Sequence, residues 1–334
     1  HAPPDRSGET LLGMLQQAAE AAGADVLTEA CVDGVYADAE NRVRGVRIRR
    51  PDGDAESLGC AALVVATCGF GANREWVRRY LPGLAAARYY GHEGNTGDGI
   101  AWGMALGGAV ADMGACQALG SLATPQSLVM PHTLMIGGGV QVNALGERFE
   151  NELDNISGQA LTILEQPEGI CWIVYDHRLH EMALEGYREY RDGEAIGACR
   201  RAESWAALAA ETGLPADRLE ATMAAVDRHA ASGEADAFGR AFEPSQRLRP
   251  PFYAVRVTGA LFHTQGGLVT DVAARVLDAD GTPLPNLFAG GGAARGLSGP
   301  AEWGYLPGMG LCTAVTLGRI AGRAAADLAK ERRR

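Results

Sequence analysis

Apolar residues recur at helical spacing over 11–22 (Leu11, Leu12, Leu15, Ala18, Ala19, Ala22), which predicts an amphipathic helix that Gly23 closes. A short strand is expected at 24–27. Alternating positions over 32–37, 42–49 and 56–60, broken by Glu40-Asn41 and Asp52-Gly53-Asp54, predict a three-stranded antiparallel meander. The run 61–66 is continuously apolar and of strand length, so a buried parallel strand is expected there. A tight loop, Thr67-Cys68-Gly69-Phe70-Gly71, follows it. Helices are then expected from near Asn73 and from Thr96-Gly97-Asp98-Gly99 to about Leu106.

From about residue 114 the pattern changes to short strands (140–143, 171–175) and two charge- and alanine-rich helices (204–212, 216–231). Leu248-Arg249-Pro250-Pro251 marks a boundary, after which strands at 252–260, 267–270, 276–278 and 287–289 precede a final helix over 308–330. This order predicts an α/β three-layer core (1–113 and 251–334) interrupted by an α+β lobe (114–250). The lobe is domain-sized and would meet the core across a cleft, where ligands commonly bind.

With 30 Lys plus Arg against 41 Asp plus Glu, the net charge of -11 argues against a nucleic-acid partner. No apolar stretch approaches the ~18–20 residues of a membrane-spanning helix, so none is expected. The seven cysteines (31, 60, 68, 116, 171, 199, 312) are odd in number and include no C-x-x-C pair. They are expected to be reduced, mostly core residues in a cytoplasmic protein. His177 and His180 are three apart and lack the i, i+4 zincin spacing, so a solvated helix start is expected and no metal site. The 45 glycines in 334 residues, nearly double the average share of ~7%, cluster at 91–108, 137–139 and 290–310.

Two glycine clusters bear on chemistry. Gly290-Gly291-Gly292-Ala293-Ala294-Arg295-Gly296 is out of step with G-x-G-x-x-G and lacks the acid expected about 20 residues on, so it fails as a dinucleotide fingerprint. It reads either as a close backbone approach to a ligand or as an ordinary strand-to-helix loop. Thr96-Gly97-Asp98-Gly99 offers free N–H groups and an acceptor at a helix start, suited to a polyol or phosphate; the alternative is a plain Asp cap.

Taken in order, these segments resemble the fumarate reductase/succinate dehydrogenase flavoprotein family. Strand 63–66 with Thr67 to Asn73 resembles its A-T-G-G-F-x-x-N loop, and Thr96-Gly97-Asp98-Gly99 its T-G-D-G segment. Asn143 to Glu152 resembles its N-x-x-G-x-R-F-x-N-E cap segment, and His263-Thr264-Gln265-Gly266-Gly267 its H-T-x-G-G turn. Pro285 to Gly291 and Gly318 to Gly322 complete the block. The resemblance implies an FAD-binding (glutathione-reductase-like) core with an inserted capping domain, and hydride transfer between a C–H bond and flavin N5. It implies cofactor contacts from Cys31, Val32, Thr67, Gly69, Thr96, Gly97, Asp98, Gly266, Gly290 and Gly291. It further implies contacts from Gly308, Met309, Gly310 and Leu311 at the N-terminus of the last helix, whose positive end would stabilise charge on the reduced ring. His263 would stand beside the substrate.

Departures from the family pattern redirect the substrate. Where carboxylate-reducing members carry a proton-delivering Arg, this chain has Ile156. Where they carry a Glu and an Arg upstream in the cap, it has His132 and Met135. Their substrate-clamping Arg is replaced by Tyr305, and the A-G-E acid by Gly291. Arg is the residue best suited to pair a carboxylate, so a dicarboxylate is not expected as substrate. The segment Gly304 to Gly308 loosely resembles the ketosteroid dehydrogenase branch, which implies Tyr305 as an acid or hydrogen-bond donor at a carbonyl.

The expectation is an FAD-dependent oxidoreductase acting on a C–C bond next to a carbonyl, of ketosteroid or enone type, with His263 and Tyr305 catalytic. The alternatives are a fumarate- or 2-enoate-type enzyme that draws its cations from Arg148 or Arg295, with Gly267 at the substrate, and a non-catalytic remnant that binds a ligand or partner. An electron donor or acceptor is expected, and its identity, the reaction direction and the oligomeric state are open. Family members open with a G-x-G-x-x-G βαβ unit that this sequence lacks, so the chain is expected to be a portion of a longer protein, to expose edge strands and an apolar face, and to bind FAD weakly by itself.

Overall fold

The strands Cys31–Ala37, Val43–Arg49 and Ala55–Gly59 pair antiparallel as the meander their alternation predicts. In the middle strand Val43, Val46 and Ile48 are buried while Arg44, Arg47 and Arg49 face water. The computed structural model describes residues 8–331. Leu63–Val65 runs parallel to Pro283–Ala289, which pairs antiparallel with Arg275–Leu277, so segments from both flanks of the chain share one sheet. Asn286, 1% exposed, joins this sheet to the meander: it accepts from Val43 N at 2.8 Å and donates to the carbonyls of Val43 (2.8 Å) and Ala61 (2.9 Å).

Three local expectations change. The first helix forms as Gly8–Ala21, but none of its residues is buried, and Leu12, Met14 and Leu15 are exposed. No strand forms at 24–27; Val26 and Leu27 are exposed, and a strand without a pairing partner gains no ladder bonds. Leu63–Val65 is parallel as expected, yet it is an edge strand in which only Val65 is fully buried.

Phe252–Thr264 is the spine of the molecule. Its first half pairs with Ile170–Asp176 and Cys199–Ala202, and its second half with Cys116–Ala123 and Arg88–Tyr89. Phe252 to Val255 and Val257 belong to the apolar clusters that gather residues between 123 and 257, whereas Leu261 packs in the cluster of the core sheets. The clusters therefore divide inside this strand, beyond the prolines at 250–251. The helices Arg74–Tyr80, Asp98–Ala105, Trp205–Thr212 and Ala216–Ser232 lie close to the expected positions, and Met309–Glu331 closes the chain. Cys116–Ala123 escapes prediction because its Ala/Gly/Ser-rich sequence lacks an alternating pattern.

His177 and His180 lie on the helix His177–Gly186, whose N-terminus Asp176 caps at Leu179 N. The sequence-based expectation of a solvated helix start fails for His180, which is 7% exposed: it stacks on Tyr253 at 4.1 Å, and its Nδ1 lies 2.7 Å from Tyr190 Oη. Among the described residues no group of His, Cys, Asp or Glu is arranged to hold a metal, all seven cysteines are free, and no helix is long and apolar enough to cross a membrane.

Candidate active site

At the end of the long strand, His263 to Gln265 form one wall of a cavity of about 390 Å³. Across the strand pair Gln117 stands opposite His263, and both reach the cavity. The loop 291–298 makes a second wall, and Met309, Gly310 and Leu311 at the start of the final helix make a third. First-turn N–H groups of a helix have no intrahelical acceptor; Met309 N is taken by Leu306 O at 3.2 Å, which leaves Gly310 and Leu311 to offer backbone donors at a positive dipole end. Cys68 contributes from the loop behind Leu63–Val65, which is held in place where Phe70 N donates to Thr264 Oγ1 at 3.0 Å.

His263 is positioned on two sides. Its Nδ1 donates to the carbonyl of Thr264 at 3.4 Å, which leaves the Nε2 lone pair free. Its Cε1 and Nε2 edge packs against Gly310 so closely that a β-carbon there would lie 3.1 Å from Cε1. Burial lowers the His263 pKa below the ordinary value, against a smaller opposing effect of the bond to Thr264. The helix N-terminus beside it also disfavours the imidazolium. The ring is therefore a neutral base at neutral pH.

The residues that the family resemblance implied fall into separate groups. Gly291, Met309, Gly310 and Leu311 line the cavity with His263. Gly290 precedes the loop and donates from N to Val65 O at 3.0 Å. Thr67, Gly69, Thr96, Gly97 and Asp98 form a shoulder next to it. There Thr96 Oγ1 donates to Asp98 at 2.8 Å, Asn73 Nδ2 donates to Thr96 O at 3.1 Å, and Gly97 takes a left-handed φ of 85°. Cys31 and Val32 lie on the meander, outside the cavity lining, as does Gly308.

Several assignments need correction. Gly266 and Gly267 do not line the cavity: a β-carbon at either would strike the backbone of Asp112 or Ala293, so close packing accounts for both glycines. Arg148 is no substrate clamp. It is buried and pairs with Glu152 at 2.7 Å and with Asp236, while Glu152 also pairs with the buried Arg240 at 2.6 Å. Arg295 is half exposed, pairs with Asp112 at 2.6 Å and lines a neighbouring cavity of about 790 Å³. Tyr305 is half-buried and does not line the first cavity; its neighbour Leu306 donates to Ser298, which does, at 3.2 Å. Burial raises the Tyr305 pKa, keeping the phenol protonated.

Sequence reasoning missed Gln117, Ser298 and Gln265. Gln265, 6% exposed, lines the cavity, and neither its Nε2 nor its Oε1 has a hydrogen-bond partner. A carboxamide left unpaired inside a protein is costly, so a partner from a ligand is the natural complement. The orphaned amide, the helix N-terminus and the largely apolar walls together fit a flat heteroaromatic ring with polar edges. Among the described residues no Arg or Lys lines this cavity.

Comparison with known proteins identifies the family. The FAD binding domain family profile matches residues 1–305. A probable fumarate reductase (Ifc3) of Shewanella frigidimarina is 29% identical over 328 residues, covering 98% of this chain and 54% of the relative. A 4-oxocyclohexanecarboxylate 2-dehydrogenase of Sinomonas cyclohexanicum is 32% identical, covering 96% of this chain and 61% of its own length. The open conformation of a flavocytochrome c3 fumarate reductase superposes with a TM-score of 0.81 at 29% identity, covering 98% of this chain and 57% of that one. The chain thus spans little more than half the length of these relatives.

Proposed function

Because the chain belongs to the FAD binding domain family, we propose that it is the greater part of an FAD-dependent oxidoreductase that moves a hydride to or from a C–C bond next to a carbonyl, on a cyclic ketone or enone of ketosteroid type. The single observation that carries the substrate class is how the nearby arginines are held: Arg148 and Arg240 are tied to Glu152 and Asp236, and Arg295 to Asp112, so none of the three is free to pair a substrate carboxylate. A dicarboxylate needs cations to offset its charge, and a ketone does not. Ile156, His132, Met135 and Tyr305 stand where the family resemblance implies charged residues, and burial together with Arg240 lowers the His132 pKa, so it adds no cation at neutral pH.

FAD supplies the hydride acceptor or donor at flavin N5. The chain's residues do the rest. Gly310 and Leu311 would offer the ring their N–H groups and the helix dipole with Met309 beside them, Gly290 and Gly291 would let the backbone approach it, and Thr67 and Thr96-Gly97-Asp98 would hold its polyol and phosphate arm, with Cys31 and Val32 toward the adenine. The Nε2 lone pair of His263 takes the proton α to the carbonyl, or returns it from the imidazolium in the reverse direction. The Tyr305 phenol donates to the carbonyl oxygen once a substrate brings it to the cavity mouth. The segment 114–250 acts as the cap that excludes water, and a separate electron partner completes turnover.

The test is a substrate panel with the flavin-loaded protein: cyclic ketones and enones against succinate and fumarate, with Tyr305→Phe in parallel. Turnover of the ring ketones, reduced about tenfold or more in the phenylalanine variant, supports the proposal. Preference for the dicarboxylates overturns the substrate class, and an unchanged rate in the variant removes Tyr305 from it.

A further inference from the structure

We propose that Gln265 holds the imide edge of the flavin pyrimidine ring, its Oε1 accepting from N3–H while its Nε2 donates to the adjacent ring carbonyl. The inference rests on the FAD assignment above and concerns a residue that the H-T-x-G-G resemblance leaves unspecified.

Among the described residues, Gln265 is the only buried side chain with both a donor and an acceptor atom unpartnered. Its backbone is fully engaged: Gln265 N donates to Ala115 O at 2.8 Å, and its carbonyl accepts from Gly296 N at 2.8 Å. The backbone is thus fixed at the cavity wall, and only the side chain remains to be satisfied. A primary carboxamide places a donor and an acceptor side by side in one plane. The matching ligand edge is an acceptor next to a donor, which is the arrangement of an imide. A ketone or carboxylate carries acceptors only and would leave Oε1 orphaned inside the protein. The orphaned pair therefore favours the ring of the cofactor over the substrate as its partner. The neighbouring walls agree, because the helix N-terminus 309–311 faces the same cavity and suits the remaining ring oxygens.

The experiment reconstitutes apoprotein with FAD and, separately, with FAD methylated at N3, for the unsubstituted protein and for Gln265→Met and Gln265→Glu. Dissociation constants and the flavin midpoint potential are read, neither of which requires turnover. The unsubstituted protein is expected to bind FAD about tenfold tighter than the N3-methyl analogue, the worth of one buried bond lost with its partner stranded. Gln265→Met, unbranched and of similar length, is expected to bind the two within about twofold of each other. Gln265→Glu keeps an acceptor but loses the donor, so it is expected to retain discrimination and lower the midpoint potential. Equal affinity of the unsubstituted protein for both flavins overturns the proposal while leaving the FAD assignment intact. So does a Gln265→Met variant that discriminates as the unsubstituted protein does. An unsubstituted protein that binds neither flavin overturns both the proposal and the FAD assignment.

Discussion

The imidazole of His263 rests against the α-carbon of Gly310, with 3.1 Å between Cε1 and the place a β-carbon would take. That contact joins the strand Phe252–Thr264 to the first turn of Met309–Glu331, and it explains a glycine inside a helix, where alanine is the better helix former. Gly310→Ala is expected to leave thermal stability nearly unchanged, because a propensity gain of up to ~1 kcal/mol offsets the tighter contact. The displaced ring is expected to cost about three- to tenfold in kcat, since small errors in the position of a reacting group are expensive. Unfolding curves beside steady-state kinetics check both halves.

The depressed pKa of His263 sets the acid limb of the rate profile. The neutral ring is the proton acceptor, and its pKa in the folded protein lies below the ordinary 6.5 because the ring is buried. Dehydrogenation is expected to be independent of this group above pH 6.5 and to fall as pH drops through the lowered value. His263→Ala is expected to lose about 10²–10⁴-fold and to abolish that limb. A pH–rate profile of kcat/KM for both proteins gives the comparison.

Glu150 supplies a pH dependence of stability with the opposite sign. Burial, aided by Glu152 and Asp154, raises its pKa from 4.5 to about 7, against a bond to Thr162, and its Oε1 has no partner in the fold. Between pH 4.5 and about 7 the folded protein holds this proton more tightly than the unfolded chain does, so the group's contribution becomes less favourable as pH rises through that window. Glu150→Gln is therefore expected to stabilise the protein by about 2–3 kcal/mol at pH 8 and by almost nothing at pH 4.5. Denaturant curves at the two pH values separate these outcomes.

Arg148 is expected to matter for folding and not for substrate. Removing it leaves the nearly buried Asp236 without its ion-pair partner and Glu152 with Arg240 alone, and breaking such a buried pair costs about 3–5 kcal/mol. Arg148→Ala should lower the melting temperature markedly, while KM for a ketone substrate in the surviving folded fraction stays within about twofold.

The parts of the fold legible in the sequence are those where one residue pattern reports one environment. The middle strand of the meander has a wet and a dry face, and its alternation records both. The apolar run 61–66 showed its parallel pairing, but the edge position of Leu63–Val65 depends on neighbours that periodicity does not encode. The strand at 252–260 reads as shorter than it is because His263-Thr264 falls in the H-T-x-G-G turn, and as a core element because Pro250-Pro251 resembles a domain boundary, whereas it runs to Thr264 and its apolar residues serve separate clusters. At the site, His263, Gly291 and Gly310 were found through spacing in a family pattern. Gln265 was not, because an orphaned amide becomes visible only when the positions of all its neighbours are known.

The most direct measurement of the central claim is an anaerobic half-reaction: the flavin-loaded protein, reduced, is mixed with a cyclic enone or with fumarate, and the absorbance band of the oxidised flavin is followed. With Arg148, Arg240 and Arg295 each held by a carboxylate, the account predicts rapid return of the oxidised band with the enone, faster at lower pH where His263 carries the proton it returns, and none with fumarate. Rapid reoxidation by fumarate, with the enone inert, would contradict it.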